Sequence, residues 1–147
     1  MANSLSELLK EYDSQKWAID AGNEMHKKLC LVRELDDCSK VDCELKKHIE
    51  SCDGLPAFFV KNAQTEVPVA GVINGCFISR RIDRLIVDGE NKIVRILDYK
   101  TDTDKDSRRD KYITQLGEYE KLMHQIYPEY KIEKFILWLH DWILEKL

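Results

Sequence analysis

Asp98-Tyr99-Lys100 sets a carboxylate and an ammonium two residues apart in a run rich in Val and Ile. Side chains on a strand alternate faces, so Asp98 and Lys100 are expected to point the same way. A second acid, Asp83, lies in the preceding apolar run, and a third, Glu66, in the run before that. Asn74-Gly75 is a strong hairpin signal, and Asp88-Gly89-Glu90-Asn91 reads as a second tight turn. With Gly89-Glu90 as a two-residue loop, Asp88 faces Asn91, and Asp83 faces Ile96, one diagonal step from Asp98 on the same face. Diagonal neighbours lie about 7–8 Å apart at the backbone, so two such carboxylates can share a cation. The same counting through Asn74-Gly75 sets Ile73 opposite Cys76 and Glu66 opposite Asp83. Acids opposed in this way destabilise a sheet unless something neutralises them, and oxygen-rich clusters suit Mg²⁺ or Mn²⁺. The competing reading of the spacing is solvent-facing acids paired with Arg80, Arg81 and Arg84. Pro68 invites a bulge, and a slip of one residue would turn Glu66 to the other face.

Other chemistries find less support. The cysteines, Cys30, Cys38, Cys43, Cys52 and Cys76, are odd in number and include no CxxC pair. They fit neither a zinc ribbon, a disulfide framework nor an iron–sulfur cluster, and are expected to be reduced and mostly buried. A thiol-based metal or redox protein using Cys38, Cys43 and Cys52 is the weakest alternative. No Gly-rich phosphate loop ending in Gly-Lys-Ser/Thr occurs, which excludes a motor ATPase. The net charge of −4 excludes coating of nucleic acid by bulk positive charge, yet Lys105, Arg108, Arg109 and Lys111 form a local basic cluster.

The elements that must position these residues follow from periodicity. Trp17, Ala21, Met25, Leu29 and Val32 recur at helical spacing between Ser14 and about Leu35. A second helix is expected from Lys40 to Cys52, stopped by Gly54 and Pro56. Glu66 to Ile73, Cys76 to Val87 and Lys92 to Lys100 read as a three-strand antiparallel meander. Thr101 to Ser107 reads as a polar loop, and Asp110 as the cap of a helix with the stripe Tyr112, Leu116, Tyr119, Met123 and Ile126. Ile132 to His140 reads as a further, buried strand. The 147 residues thus predict one α/β domain, a mixed central sheet flanked by helices. No apolar run approaches the ~20 residues of a membrane span, and Met1-Ala-Asn-Ser-Leu-Ser-Glu lacks the pattern of a secretory signal, so a cytoplasmic setting is the expectation.

The run from Gly71 through Ile82-Asp83-Arg84-Leu85, followed by Ile96-Leu-Asp98-Tyr-Lys100-Thr101, resembles the PD-(D/E)xK nuclease superfamily. Gln115-Leu-Gly-Glu-Tyr119 resembles the QxxxY motif of its RecB/AddA-type branch, and Gly22-Asn-Glu-Met-His26-Lys-Lys-Leu29 its GxxxHxxL helix. Glu66-Val-Pro-Val is similar to the acidic opening of the first strand. The pieces stand in the family's order from Gly22 to Tyr119 and cover most of the chain. One departure is the basic pair Arg80-Arg81 where a small residue usually precedes Ile-Asp-Arg.

The resemblance implies a restriction-endonuclease-like fold and divalent-metal-dependent hydrolysis of phosphodiester bonds in DNA, with RNA as an alternative substrate. It makes Asp83, Asp98 and His26 metal ligands for Mg²⁺ or Mn²⁺, with the backbone carbonyl of Tyr99 as a further ligand and Glu66 as a candidate acid. Lys100 would orient or activate the attacking water, and Gln115 and Tyr119 would contact the strand or brace the site. Arg84, Lys105, Arg108 and Arg109 would hold the phosphate backbone. The motors of recombination helicase-nucleases are absent from this sequence, so the resemblance implies either a free-standing nuclease or a fragment of a larger chain, with a helicase chain or partner subunit as a candidate companion. The alternative is a non-catalytic nucleic-acid-binding or assembly module that keeps the fold as scaffold.

Overall fold

The computed structural model describes residues 5–7, 23–36 and 41–147. Trp17, Ala21, Gly22 and Cys38 lie outside the described residues, and with them the glycine of the GxxxHxxL pattern. Helix α1 is described over residues 23–31, ending earlier than Leu35. Helix α2, Cys43–Ser51, starts where the Asp42 carboxylate accepts the Leu45 N–H at 2.7 Å. Gly54, at φ 80°, turns the chain into a short 3-10 helix, Leu55–Phe58, with Pro56 in its first turn.

The meander is strand β1 Gln64–Ile73, strand β2 Cys76–Asp88 and strand β3 Ile93–Lys100. Asn74 and Gly75 both take left-handed φ (50° and 79°), the backbone that a right-twisted two-residue hairpin requires. Helix α3, Lys105–Ile126, crosses over to strand β4, Lys131–Trp138, which lies parallel to β3. Strand β5, Ile143–Lys146, adds an antiparallel edge, giving the order β1-β2-β3-β4-β5. The expected mixed sheet flanked by helices is therefore present, with β5 as an unforeseen member.

Three expectations need correction. The second hairpin has no two-residue loop: Asp88 pairs with Ile93. Its carboxylate accepts the N–H groups of Glu90 and Asn91, each at 3.1 Å, and Lys92 takes a left-handed φ of 53°. These local side-chain bonds support the longer loop. The register moves by two residues, Arg84 pairing with Leu97, so Asp83 comes level with Asp98 instead of Ile96. A two-residue shift preserves the face. Helix α3 is capped by Asp104, not Asp110, so Lys105, Arg108 and Arg109 sit in its first turns and not in a loop. Its buried stripe includes Leu122 and stops at Met123, leaving Ile126 exposed. Of the described cysteines, Cys30 and Cys52 are buried, whereas Cys43 and Cys76 are exposed.

Two apolar layers hold the sheet. On one face Ile82, Leu85, Ile96 and Ile136 pack against Leu116 and Leu122 of α3. On the other, Ile86, Leu97 and Leu137 pack against Leu29, Ile49 and Phe58 from α1, α2 and the 3-10 helix. Gly71 marks the closest approach of α3 to β1: a Cβ there would lie 2.6 Å from Gln125 Oε1 and 2.9 Å from Leu122 Cδ2. The alternation of faces along β2 breaks at Asp83, because Ile82 and Leu85 both face α3 while Arg84 faces α1. Opposite it, Glu66 has φ 50°, and the pair Glu66–Asp83 is missing from an otherwise continuous ladder. The first hairpin thus keeps its expected register, and the distortion falls at Glu66 itself. Among the described residues, no helix is long and apolar enough to cross a membrane.

Candidate active site

Asp83 occupies this break in β2, and Asp98 lies beside it on β3. The second oxygen of Asp83 accepts the Tyr99 N–H at 2.9 Å, which ties the carboxylate to the neighbouring strand. Its first oxygen faces His26 Nε2 of α1 at 3.2 Å. Asp98 is 3% exposed, and its Oδ2 lies 2.7 Å from the Lys100 ammonium. Both of these are contacts of charge and not of aligned hydrogen bonds: His26 Nε2 and Asp98 Oδ2 are buried atoms without a hydrogen-bond partner.

The electrostatics of the pair are asymmetric. Burial raises the Asp98 pKa to about 7, and the neighbouring Asp83 charge adds to the rise, while Lys100 opposes it. Burial also disfavours the Asp83 anion, but His26 and the Tyr99 N–H hold its pKa below the usual carboxylate range. Two carboxyls this close do not both ionise freely. The Asp83 carboxylate in turn raises His26 to about 10, helped by the Cys30 thiol one helical turn on and opposed by burial. A cation entering here would have to displace protons from His26 and Asp98.

Helix α3 braces the lysine. Lys100 Nζ donates to Gln115 Oε1 at 2.8 Å, and Gln115 Nε2 donates to the Tyr119 hydroxyl at 2.8 Å. The four-residue spacing of Gln115 and Tyr119 is what lets one side chain reach the other. Tyr119 is buried, and burial raises its pKa, with Asp98 and Asp83 adding to the rise. One turn before Gln115, the Tyr112 ring lies 4.2 Å from Lys100 Nζ, and its hydroxyl donates to Asp102. Tyr112 was read from the sequence only as core. Its spacing of three from Gln115 was the available signal, since that places both on one helical face.

Several expected participants stand elsewhere. Glu66 is exposed and lies 4.0 Å from Arg81, so its carboxylate does not join the buried acids. Arg84 is fully buried and cannot reach a substrate. Its guanidinium donates to the carbonyls of Leu29 (2.9 Å), Val32 and Phe58 (3.0 Å), and to the Tyr99 hydroxyl (2.8 Å), over the Phe59 ring. Arginine is suited to this because its fork satisfies several acceptors at once. Three of these partners are the end of α1 and Tyr99, whose ring meets His26 edge-on at 5.3 Å between centroids. Lys105, Arg108 and Arg109 pair with Asp141, Asp102 and Glu145 at 2.5–3.5 Å. A groove of about 520 Å³ is bordered by Cys30, Arg33, Glu34 and Glu66, and neither Asp83 nor Asp98 lines it.

Among the described residues, no three His, Cys, Asp or Glu side chains form a ready-made metal-binding group. The donors that come nearest to one are His26, Asp83 and Asp98. Of these donors, the two carboxylates are the type that hard cations such as Mg²⁺ or Mn²⁺ prefer. No protein-family model matches the chain, and no curated protein matches it.

Proposed function

We propose that this chain is a divalent-metal-dependent nuclease that hydrolyses DNA phosphodiester bonds, of restriction-endonuclease-like fold and of the PD-(D/E)xK, RecB/AddA-like type. The observation that carries the reading is the convergence of Asp83, buried Asp98, Lys100 and His26, with Asp98 Oδ2 2.7 Å from Lys100 and Asp83 3.2 Å from His26. The order of motifs from His26 to Tyr119 supports it independently. Asp83, Asp98 and His26 would hold Mg²⁺ or Mn²⁺, which when bound polarises the scissile phosphate and lowers the pKa of a coordinated water. Lys100 supplies a fixed positive charge next to the acids, positioned to orient the attacking water and offset charge developing on the phosphoryl oxygens. Gln115 and Tyr119 hold that ammonium in place, and the Tyr99 N–H fixes the orientation of Asp83. Pre-organisation of this sort lowers the barrier because no group has to reorient during the reaction.

The test is incubation with linear DNA, circular DNA and RNA, with and without Mg²⁺ or Mn²⁺, alongside Asp98→Ala. Metal-dependent cleavage that is lost in the variant supports the reading. Binding of nucleic acid without cleavage under any metal condition would replace it with that of a non-catalytic module.

A further inference from the structure

Resting on the nuclease reading, we propose that the substrate strand is gripped by a cleft between β2 and α3, where Arg80, Lys111 and Thr114 contact successive phosphates next to Lys100. The cleft measures about 390 Å³ and opens directly onto Lys100 and Gln115. Lys111, Thr114, Gln115 and Glu118 stand at i, i+3, i+4 and i+7, so one face of α3 forms its wall. Arg80 comes from the opposite side, on β2.

The basic residues of the chain divide sharply in availability. Arg84 is buried, and Lys105, Arg108 and Arg109 are ion-paired with acids on β5, the preceding loop or the turn after β4. Lys111 is exposed and has no ion-pair partner among the described residues. Arg80 is paired with Glu118 at 3.0 Å, but at an exposed position, where such pairs contribute little and exchange readily for a phosphate. Thr114 adds an exposed hydroxyl to the same wall. The larger groove carries Glu34, Asp36 and Glu66 against Arg33, a lining that repels a polyanion. The one aromatic ring in the proposed cleft, Tyr112, is buried beneath Lys100 and not available for stacking. Contacts are therefore to the backbone, so recognition is independent of base sequence.

Binding of a fluorescein-labelled oligo-dT to the Asp98→Asn protein, measured by anisotropy across a salt series, tests this. Lys111→Ala and Arg80→Ala are expected to weaken binding and each to flatten the log–log salt slope by about 0.7, the value for one lost single-strand phosphate contact. Glu118→Gln is expected to tighten binding, because it frees Arg80. Lys92→Ala, on the far loop, serves as the control for a general charge effect. If the oligonucleotide binds but Lys111→Ala and Arg80→Ala leave the slope unchanged, the cleft is overturned while the nuclease reading stands. The same holds if Arg108→Ala and Arg109→Ala carry the slope instead. If the protein neither binds the oligonucleotide nor cleaves DNA with Mn²⁺, both readings fail together.

Discussion

Replacing Arg84 by Met should destabilise the fold severely while leaving no exposed charge altered. The guanidinium serves the carbonyls of Leu29, Val32 and Phe58 and the hydroxyl of Tyr99, all inside the α1 side of the molecule. A buried acceptor left unpaired costs about 1–3 kcal/mol. Three carbonyls would set the upper range near 9 kcal/mol, but removing a buried charge that has no carboxylate partner among the described residues recovers part of its desolvation penalty. A net loss of about 3–5 kcal/mol results, a large share of the ~5–15 kcal/mol that holds a typical domain together. For a chain of this size the melting temperature should fall by roughly 10–15 °C. Urea and thermal melts followed by circular dichroism measure it. Arg84→Lys should fall between, since one ammonium cannot reach the helix end and the Tyr99 hydroxyl together. A Met variant within about 1 kcal/mol of wild type would refute the reasoning. So would an Arg84→Lys protein of full stability that had lost only nucleic-acid binding, the outcome expected of a surface arginine.

Lys100→Ala should fold and bind Mn²⁺ but lose cleavage by orders of magnitude, because its charge acts on the transition state; activity within a few-fold of wild type would remove its assignment. Mn²⁺ at about 100 times its dissociation constant should add ~2.7 kcal/mol to wild-type stability. Asp83→Asn and Asp98→Asn should lose most of that shift, and retention of the full shift in both would place the metal elsewhere. Stability without metal should decline as pH rises: Asp98, raised to about 7, favours the fold fully only below the ordinary Asp value. His26, raised to about 10, favours it fully below its ordinary value of 6.5 and loses that contribution as pH passes 10. Asp98→Asn should therefore flatten the acidic part of the melting profile and His26→Asn the alkaline part; unchanged profiles would contradict the assigned burial and pairing. Calorimetry in two buffers of different ionisation enthalpy should show proton release on Mn²⁺ binding.

The parts of the site legible in the sequence were those fixed by period and by turn chemistry. Asp98 and Lys100 share a face because strands alternate, and Asn74-Gly75 fixed the pairing of β1 with β2. The acid pair was foreseen through the wrong loop. Local bonds to the Asp88 carboxylate lengthened that loop by two residues, and an even shift left the face intact. What eluded the sequence was direction at single residues. An arginine reads as surface charge unless the carbonyls of a helix end are known to await it, and those of α1 lie more than fifty positions before Arg84. Glu66 turned away because its own backbone went left-handed, which a glutamate does not announce. Strand β5 was lost because Trp142, at φ 53°, occupies a turn position ordinarily held by Gly or Asn.

The parallel pairing of β3 with β4 has a consequence for the order of events at the ribosome. The meander β1-β2-β3 emerges as a consecutive unit, with Asp83, Asp98 and Lys100 already encoded in it. Its last strand nevertheless leaves one edge open until residues 131–138 have been made and α3 has folded back over the sheet. During that interval Ile93–Lys100 is an apolar strand with unsatisfied N–H and C=O groups, the kind of edge that pairs with other chains. The Leu139 N–H, which bonds the Lys100 carbonyl at 2.9 Å, closes that edge at the lysine itself. A nascent chain therefore carries the acids and the lysine well before it can hold them in working order, and its exposure to misassembly ends at the same point at which the lysine is fixed.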